Sequence, residues 1–526
     1  MAQIGKITYG GIRKNVFAAL DVSPESPAIE IGSYVTIQGV RNTYYAVVTD
    51  LTYGQPTDPQ FAQTDLSERI PRRLAELITR RLIKPTAELM LGLSHPTHAS
   101  GSLSPTVSLP PLHSPVLESS QVDINMIFGD GDLADHWVIG TTKQHDHKIS
   151  LDLSRLVQRS TGIFGATGTG KSVLLRVILS GLIKRNTAAV LSFDLHSELA
   201  YDDRSREHLL PGFKTLFPQT VVSIGLGKNT CIRGNTPDHN IMINLRDIQP
   251  ADVLALTEEL NLNESAPTVI SALRASFRED WLCAFLAMSR STEADDSAHQ
   301  PARSLSGWIK SAGVNKLSAE ALHAKLMRIR RLPYVSDHPA QDSVQLIFTS
   351  LLAGRHVILS FGEQPTELDY ALVSNLLARR LSEIWQAQAE QYRSSQGIEP
   401  RPLVIVVDEA HRFLSKNSPT TVFGTLAREM RKSYVSLIVV DQRPSEISET
   451  IMSQIGTRIS GWLGDEQDID AMLTGLSGRE GLKRMLTSLK PVREMLLTGY
   501  AVPAPVVIRS RQVDEHFLRE IQSDNP

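Results

Sequence analysis

Two hydrophobic rhythms divide the chain near residue 136. Ahead of that point, "IEIGSYVTIQG" and "NTYYAVVTDLTYG" alternate apolar and polar residues and are bounded by Gly, Asn and Asp. Successive side chains of a strand point to opposite faces, so this alternation predicts short antiparallel strands in a small barrel or sandwich. "PRRLAELITRRLI" has the three-and-four spacing of a helix. Residues 94–121, rich in Ser, Pro and His, have little to bury and read as a loop or flexible linker. From residue 161 the pattern becomes short, continuous apolar runs: "TGIFG", "AAVLSFD", "HVILSFG", "LVIVVDE", "SLIVVDQ" and "RISGWLG". Several are followed by helical segments. Apolar strands alternating with helices predict a parallel sheet covered on both faces. Residues 250–335 are helical in pattern, as in "ADVLALTEELNL" and "ALHAKLMRIRRL", and "STEADDSAHQPARS" reads as a surface loop among them. The resulting division is an N-terminal β domain, barrel or sandwich, over 1–135 with the flexible 94–121 segment, an α/β core over 136–249 and 336–526, and an inserted helical subdomain over 250–335. No internal repeat is visible.

A chain of 526 residues exceeds one ordinary core, which agrees with several domains. A formal net charge of -3 excludes a protein that coats nucleic acid over its whole surface, though not a local basic patch or a ring lining. Cys231 and Cys283 lie far apart without CxxC spacing, which argues against a zinc site or disulfide framework and fits a reducing compartment. No apolar run reaches the roughly 18 residues of a membrane helix, and "MAQIGKITYGG" lacks a signal-peptide core. The expectation is a cytoplasmic protein with no membrane partner.

The chemistry begins at "GIFGATGTGKSVLLRVI". Gly165, Ala166, Thr167, Gly168, Thr169, Gly170, Lys171 and Ser172 fit GxxxxGK[ST], and Val173 continues into a helix. Glycines let several backbone N–H groups turn into one cavity, helped by the positive end of the following helix. Lys171 is expected on the β- and γ-phosphates and Ser172 on Mg²⁺. "PLVIVVDEAHRFL" places Asp408 and Glu409 directly after an apolar strand. There Asp408 is suited to hold Mg²⁺ and Glu409 to take a proton from the attacking water, which marks a hydrolase rather than a kinase. His196 and Glu198 in "DLHSEL" fall past another strand end, in supporting positions.

The letters "DEAH" also mark a large helicase superfamily. Its members place that box much nearer the phosphate loop and carry "SAT" and "QxxGRxxR" motifs, both missing here, so that family is rejected. The segment after the acidic pair has a different character. "FGTLAREMRKSYVSLIVVDQRPSEI" gives a basic helix with Arg428, Arg431 and Lys432, then a strand ending in Gln442. A polar Gln at that strand tip suits sensing the γ-phosphate or orienting the water.

In this ordered set the chain resembles the HerA family of ring-forming DNA translocases, relatives of the FtsK-type motors. The resemblance runs through "IGKITYG" and "IEIGSYVTIQ", which look like that family's HAS-barrel-like domain. It continues through "HWVIGTTKQHDHKISLDLSRLVQRSTGIFGATGTGKS", "SFDLHSELA", "LAREMRKSYVSLIVVDQRPSEI", "SQIGTRISGWLGDEQD" and "LLTGYAVPAPVVIR". It implies a RecA-like P-loop fold and a homohexameric ring with ATP between subunits. Lys171, Ser172, Asp408 and Glu409 would act in one subunit, and Arg431, or failing it Arg428, would be a finger supplied by the next. It also implies that Arg159 makes a second γ-phosphate contact and that Gln442 is the sensor. Asp441 stands where the family more usually has Ser, and the 94–121 segment is long. The implied activity is ATP-driven movement or unwinding of double-stranded DNA, beside a separate nuclease or antiviral defence effector, since no nuclease motif occurs here. Two other readings are a motor that moves protein or conjugative DNA through a membrane pore, and an ATP-stabilised structural ring that scaffolds a partner enzyme. The basic runs "RRLAELITRRLIKP" and "RIRR" (328–331) fit DNA or partner contacts as well as solvated helix faces.

Overall fold

The computed structural model describes residues 2–12, 14–21, 29–53, 85–97, 102–204, 209–289, 304–337, 342–362, 365–395, 397–415, 422–429 and 432–522. Two compact units emerge: Met1–Gly181 with Asp441–Asp514, and Leu182–Val440 with Glu515–Pro526. Each contains part of the segment read as the α/β core.

The first unit opens with six strands, β1 (Gln3–Gly11), β2 (Lys14–Leu20), β3 (Tyr34–Gln38), β4 (Asn42–Tyr53), β5 (Pro85–Pro96) and β6 (Pro115–Glu118). They close a cycle in the order β2-β1-β6-β3-β4-β5 and back to β2, every pairing antiparallel. Closure leaves no free edge for unwanted pairing. The alternation seen in sequence is the inside of this barrel: Val16 and Ala18, Val35 and Ile37, Ala46 and Val48, and Ala87 and Leu89 all point into one buried cluster. Residues 94–121 differ from the expected linker. They supply β6, whose Val116 is 1% exposed and which sits between β1 and β3, so the barrel closes through this segment. A four-residue strand with a proline at its head is too short to show a period. The predicted "PRRLAELITRRLI" helix lies outside the described residues.

The same unit continues with β7 (His136–Thr142), β8 (Lys148–Asp152) and β9 (Thr161–Phe164), then helix α1 (Lys171–Lys184) at its boundary. Its C-terminal part adds β16 (Thr457–Ser460), β17 (Glu494–Gly499) and β18 (Val506–Ser510). Here the order is β9-β16-β17-β18-β7-β8, with β9 and β16 parallel and the others antiparallel. Trp137 on β7 lies under α1 and donates its indole N–H to the Val177 carbonyl at 2.8 Å. Gly181 makes this fit possible, because a Cβ there would meet the indole at 2.5 Å.

The second unit carries β10 (Ala189–Asp194), β11 (Val221–Leu226), β12 (His239–Ile241), β13 (His356–Ser360), β14 (Leu403–Val407) and β15 (Val435–Asp441). Their order is β12-β11-β13-β10-β14-β15 and every pairing is parallel. The five residues of β13 and of β14 are all buried, which explains why these strands read as unbroken apolar runs. Helices α2 (Glu367–Arg393) and α3 (Val422–Glu429) belong to this unit.

Between β12 and β13 comes the helical insertion. Helices Ala266–Phe277, Trp281–Ala287, Leu305–Ala312 and Lys316–Arg330 pack around Trp281, Phe285 and Trp308. Its entry and exit meet, since Ile243–Asn244 pair in parallel with Val335–Ser336. Arg379 of α2 grips Asp252 with two bonds, 2.8 and 2.6 Å, and the Asp252 side chain is fully enclosed. The "RIRR" arginines serve this subdomain: Arg328 donates to the Glu259 carbonyl, and Arg330 to the Leu286 carbonyl and Asp337. The loop expected at "STEADDSAHQPARS" lies almost wholly outside the described residues. Among the described residues no helix is long and apolar enough to cross a membrane. Cys231 and Cys283 are free thiols.

Candidate active site

In the first unit, the phosphate loop leaves the buried β9 and enters α1. The loop is pinned from both sides. Gly461 N–H donates to the Phe164 carbonyl (2.9 Å), Ala166 N–H to the Trp462 carbonyl (3.0 Å), and Arg493 N–H to the Thr169 carbonyl (3.1 Å). Thr169 Oγ1 crosses the loop to the Ala166 carbonyl at 2.8 Å. Gly165, Gly168 and Gly170 have φ of +143°, +80° and +99°, and a Cβ on Gly165 would come within 2.8 Å of Thr169 Oγ1. Lys171 Nζ donates to the carbonyls of Gly165 (2.6 Å) and Ala166 (2.9 Å), which holds the ammonium at the loop. Ser172 is exposed on the first turn of α1 and Val173 is partly so. Thr167 Oγ1 donates to Gln442 Oε1 at 2.7 Å, so the sensor candidate touches the phosphate loop itself.

Arg159 is elsewhere. It precedes β9, whereas the loop follows it, and a four-residue strand rising about 3.3 Å per residue separates the two ends. Its guanidinium stacks 4.3 Å over the Tyr500 ring, with Arg155 at 5.3 Å from the same ring. Such stacking holds a cation at the strand's opposite end.

In the second unit, Asp408 and Glu409 leave the end of β14. Glu409 N–H donates to Asp408 Oδ1 at 2.9 Å, and Tyr370 of α2 donates its hydroxyl to the Asp408 carbonyl at 2.9 Å. Glu409 adopts φ +50°, a left-handed conformation that costs a side-chain-bearing residue about 1–3 kcal/mol. His411 Nδ1 lies 3.6 Å from Glu409 Oε2. Burial of its carboxyl pushes the pKa of Asp408 up to about 6, and the Glu409 and Glu198 charges add to this. The Glu409 N–H and the nearby His196 act the other way. A carboxylate desolvated this far, with one backbone N–H on it, fits a hard divalent cation, whose charge would return it to the ionised form.

Sequence reasoning missed Tyr370, because its partner is a main-chain carbonyl contacted from a helix distant in sequence. It also passed over Asp194 at the end of β10. Oδ1 of Asp194 accepts from Glu198 N–H (2.9 Å), and Oδ2 accepts from Leu199 N–H (2.9 Å) and Ser360 Oγ (3.3 Å). That network sets the turn that carries His196 and Glu198.

With these residues described, the comparisons with known proteins bear on them. Residues 137–381 match the family model described as the central domain of helicase HerA, a span that runs from Trp137 on β7 through the phosphate loop to Leu381 on α2. Over this central part the chain is similar to HerA. It is a P-loop ATP hydrolase. The "DNA double-strand break repair helicase HerA" of Sulfurisphaera tokodaii is 24% identical over 91% of this chain and 88% of its own. The protein of the same description from Sulfolobus acidocaldarius is 25% identical over the same shares. Among solved structures, VirB4 of Thermoanaerobacter pseudethanolicus aligns with 73% of this chain and 99% of its own, at 14% identity and a TM-score of 0.43.

The helix expected to carry the basic residues is α3. Arg428 is exposed on it, and its Nε donates to the Gly424 carbonyl one turn back at 3.0 Å. Arg431 lies outside the described residues. Lys432 is exposed, and its carbonyl accepts from Arg393 at the end of α2.

Proposed function

We propose that this chain is a motor of the HerA type that moves or unwinds double-stranded DNA as a homohexameric ring, in concert with a separate nuclease or defence effector. The observation that carries the hydrolytic part is the acidic turn: a strained Glu409 beside a carboxylate too poorly hydrogen-bonded to be a structural one. Lys171 and the phosphate-loop N–H groups bind the β- and γ-phosphates of ATP. Ser172 and Asp408 hold Mg²⁺, which when bound offsets the phosphate charge. Glu409 takes the proton of the attacking water. Gln442, tied to Thr167 through a single hydroxyl, reports on the γ-phosphate. The cation candidates fit action on a neighbouring subunit. Arg159 stands at the end of β9 away from its own phosphate loop, and Arg428 is exposed on α3. Arg431 is assigned the finger by its place in the family pattern.

The test is ATP turnover with and without duplex DNA, in the wild type and in Glu409→Gln. Stimulation by duplex that disappears in Glu409→Gln supports the motor. Glu409-dependent turnover indifferent to DNA overturns the motor and leaves the ring that scaffolds a partner enzyme.

A further inference from the structure

In the first unit, the end of β9 away from the phosphate loop carries a cluster of its own. Thr161 of β9 pairs with Thr457 of β16, and Thr457 with Gly499 of β17. Just beyond these strands, Ser160, Gly456 and Tyr500 are tied in series. Gly456 N–H donates to the Ser160 carbonyl at 2.9 Å, and Tyr500 N–H to the Gly456 carbonyl at 2.8 Å. Two glycines make this corner. Gly499 has φ +102°, and a Cβ there would collide with the Gly456 carbonyl oxygen. A Cβ on Gly456 would meet Cβ and Cδ of Arg159 at 2.7 Å, so the arginine stem lies across that glycine.

That stem delivers the Arg159 guanidinium to 4.3 Å over the Tyr500 ring, and Arg155 brings a second to 5.3 Å from the same centroid. The ring is fixed at both ends: its main chain is bonded to Gly456, and its hydroxyl donates to Gln158 Oε1 at 2.7 Å. Arg155, Gln158 and Arg159 are exposed. The carboxylate nearest in sequence, Asp152, is engaged by the Arg155 N–H and the Ser154 hydroxyl. Neither guanidinium has an ion-pair partner among the described residues. A guanidinium stacked on a ring keeps its N–H edge free, and that edge matches phosphate oxygens. Two such cations gathered at one ring, rather than strung along a surface, suit a single terminal phosphate with three oxygens more than an extended backbone.

Resting on the ring reading above, in which Arg159 meets the γ-phosphate held by a neighbouring subunit, we infer that Tyr500 is the positioning residue for that contact and that Arg155 is a second cation in it. The ring acts through the arginines and does not touch the nucleotide. It removes rotamer freedom from long side chains before ATP arrives, and a misplacement of about 1 Å is enough to cripple such a contact. DNA phosphates offer the same oxygens, and the experiment separates the two sources.

DNA-free ATP turnover is measured against ATP concentration, and duplex binding by anisotropy, for wild type, Arg159→Ala, Arg155→Ala, Tyr500→Leu and Tyr500→Trp. Tyr500→Leu is also placed in a variant that lacks both arginines. The expected result is a kcat about tenfold to a hundredfold lower in Tyr500→Leu and in Arg155→Ala, with KM for ATP nearly unchanged, as for a contact made in the transition state. Tyr500→Trp keeps a face for the guanidinium and should restore kcat. Without the two arginines, Tyr500→Leu should have no further effect, because the groups it acts through are gone. If Tyr500→Leu and Arg155→Ala turn over like wild type while Arg159→Ala does not, the inference fails and the ring reading stands. Arg155→Ala alone at the wild-type rate strikes Arg155 from the contact. If Tyr500→Leu is as harmful without the arginines as with them, or Trp fails to restore it, the ring is structural and the inference is overturned. If DNA-free turnover is kept and duplex affinity falls, the cations hold DNA phosphate and the inference is overturned. If Arg159→Ala is itself fully active, its place in the ring reading fails, and this inference with it.

Discussion

Asp194 and Asp408 look alike in sequence and differ in the folded chain. Both end apolar strands of the second unit, and those strands, β10 and β14, are direct neighbours in the sheet. Asp194 is 4% exposed and its two oxygens are met by the N–H groups of Glu198 and Leu199 and by Ser360 Oγ. Asp408 has the N–H of Glu409 on one oxygen, keeps some exposed surface, and has its pKa pushed up to about 6 by burial of the carboxyl. A carboxylate that caps a turn lowers the energy of the chain. One left under-bonded at a strand end raises it until a cation arrives. The contrast teaches that the chemical role is read from what the carboxylate lacks, not from the strand that delivers it.

The largest effect expected from this contrast is on turnover. Asp408→Asn should lower ATP hydrolysis by about 10² or more, because an amide would hold Mg²⁺ poorly and the metal's charge is worth several kcal/mol in the transition state. In buffer without divalent cations the same variant should melt no lower than wild type, because the amide escapes the cost of desolvating a charge. A lower melting temperature would make Asp408 structural, like Asp194, and erase the distinction.

Asp194 should behave in the opposite way. Asp194→Ala leaves the N–H groups of Glu198 and Leu199 buried without their acceptor, at roughly 1–3 kcal/mol each. Chemical denaturation should show a stability loss of that order. An unchanged midpoint would show that the turn carrying His196 holds itself without the carboxylate.

The smallest effect concerns a group that is buried but carries no charge. His356, on β13 beside β10, has its pKa pushed down to about 3, first by burial and then by the Arg401 charge. Its folded value lies below the ordinary 6.5, so the fold prefers the neutral ring. The stabilisation is complete above about 6.5 and is lost as pH falls toward the folded value. Between pH 6.5 and 5 the loss amounts to about 2 kcal/mol at 1.36 kcal/mol per unit. Denaturation midpoints of wild type and His356→Gln over that range check it. Parallel curves for the two proteins would remove His356 from the account.

Much of the site was legible because its chemistry is local. The phosphate loop needs its glycines and Lys171 at fixed spacing, and the acidic pair needs a strand directly before it. The features that escaped depend on contacts that no spacing encodes. Tyr370 reaches a main-chain carbonyl, and Asp194 is distinguished from Asp408 only by the N–H groups that turn back on it. β6 is four residues long with a proline at its head, below the length at which alternation shows, so the segment that closes the barrel read as a linker. Arg159 sits two positions before β9 in sequence, but a strand's rise puts it at the opposite end from the loop it precedes. The barrel's alternating strands and the unbroken apolar runs of the second unit were legible because one-sided and two-sided burial leave different patterns.

The neck of the helical insertion has a consequence for how such a chain can be remade. Ile243–Asn244 and Val335–Ser336 lie side by side, so the subdomain leaves and re-enters the core at one point. Closing a chain across so small a gap costs little conformational entropy, and junctions of this kind tolerate excision or exchange of the segment between them. A different bundle could therefore be grafted there by gene fusion, as domains are traded in evolution. One tether sets the condition: the graft must supply a carboxylate where Asp252 stood, or the buried Arg379 on α2 keeps only the more exposed Glu383 of its own helix to answer its charge.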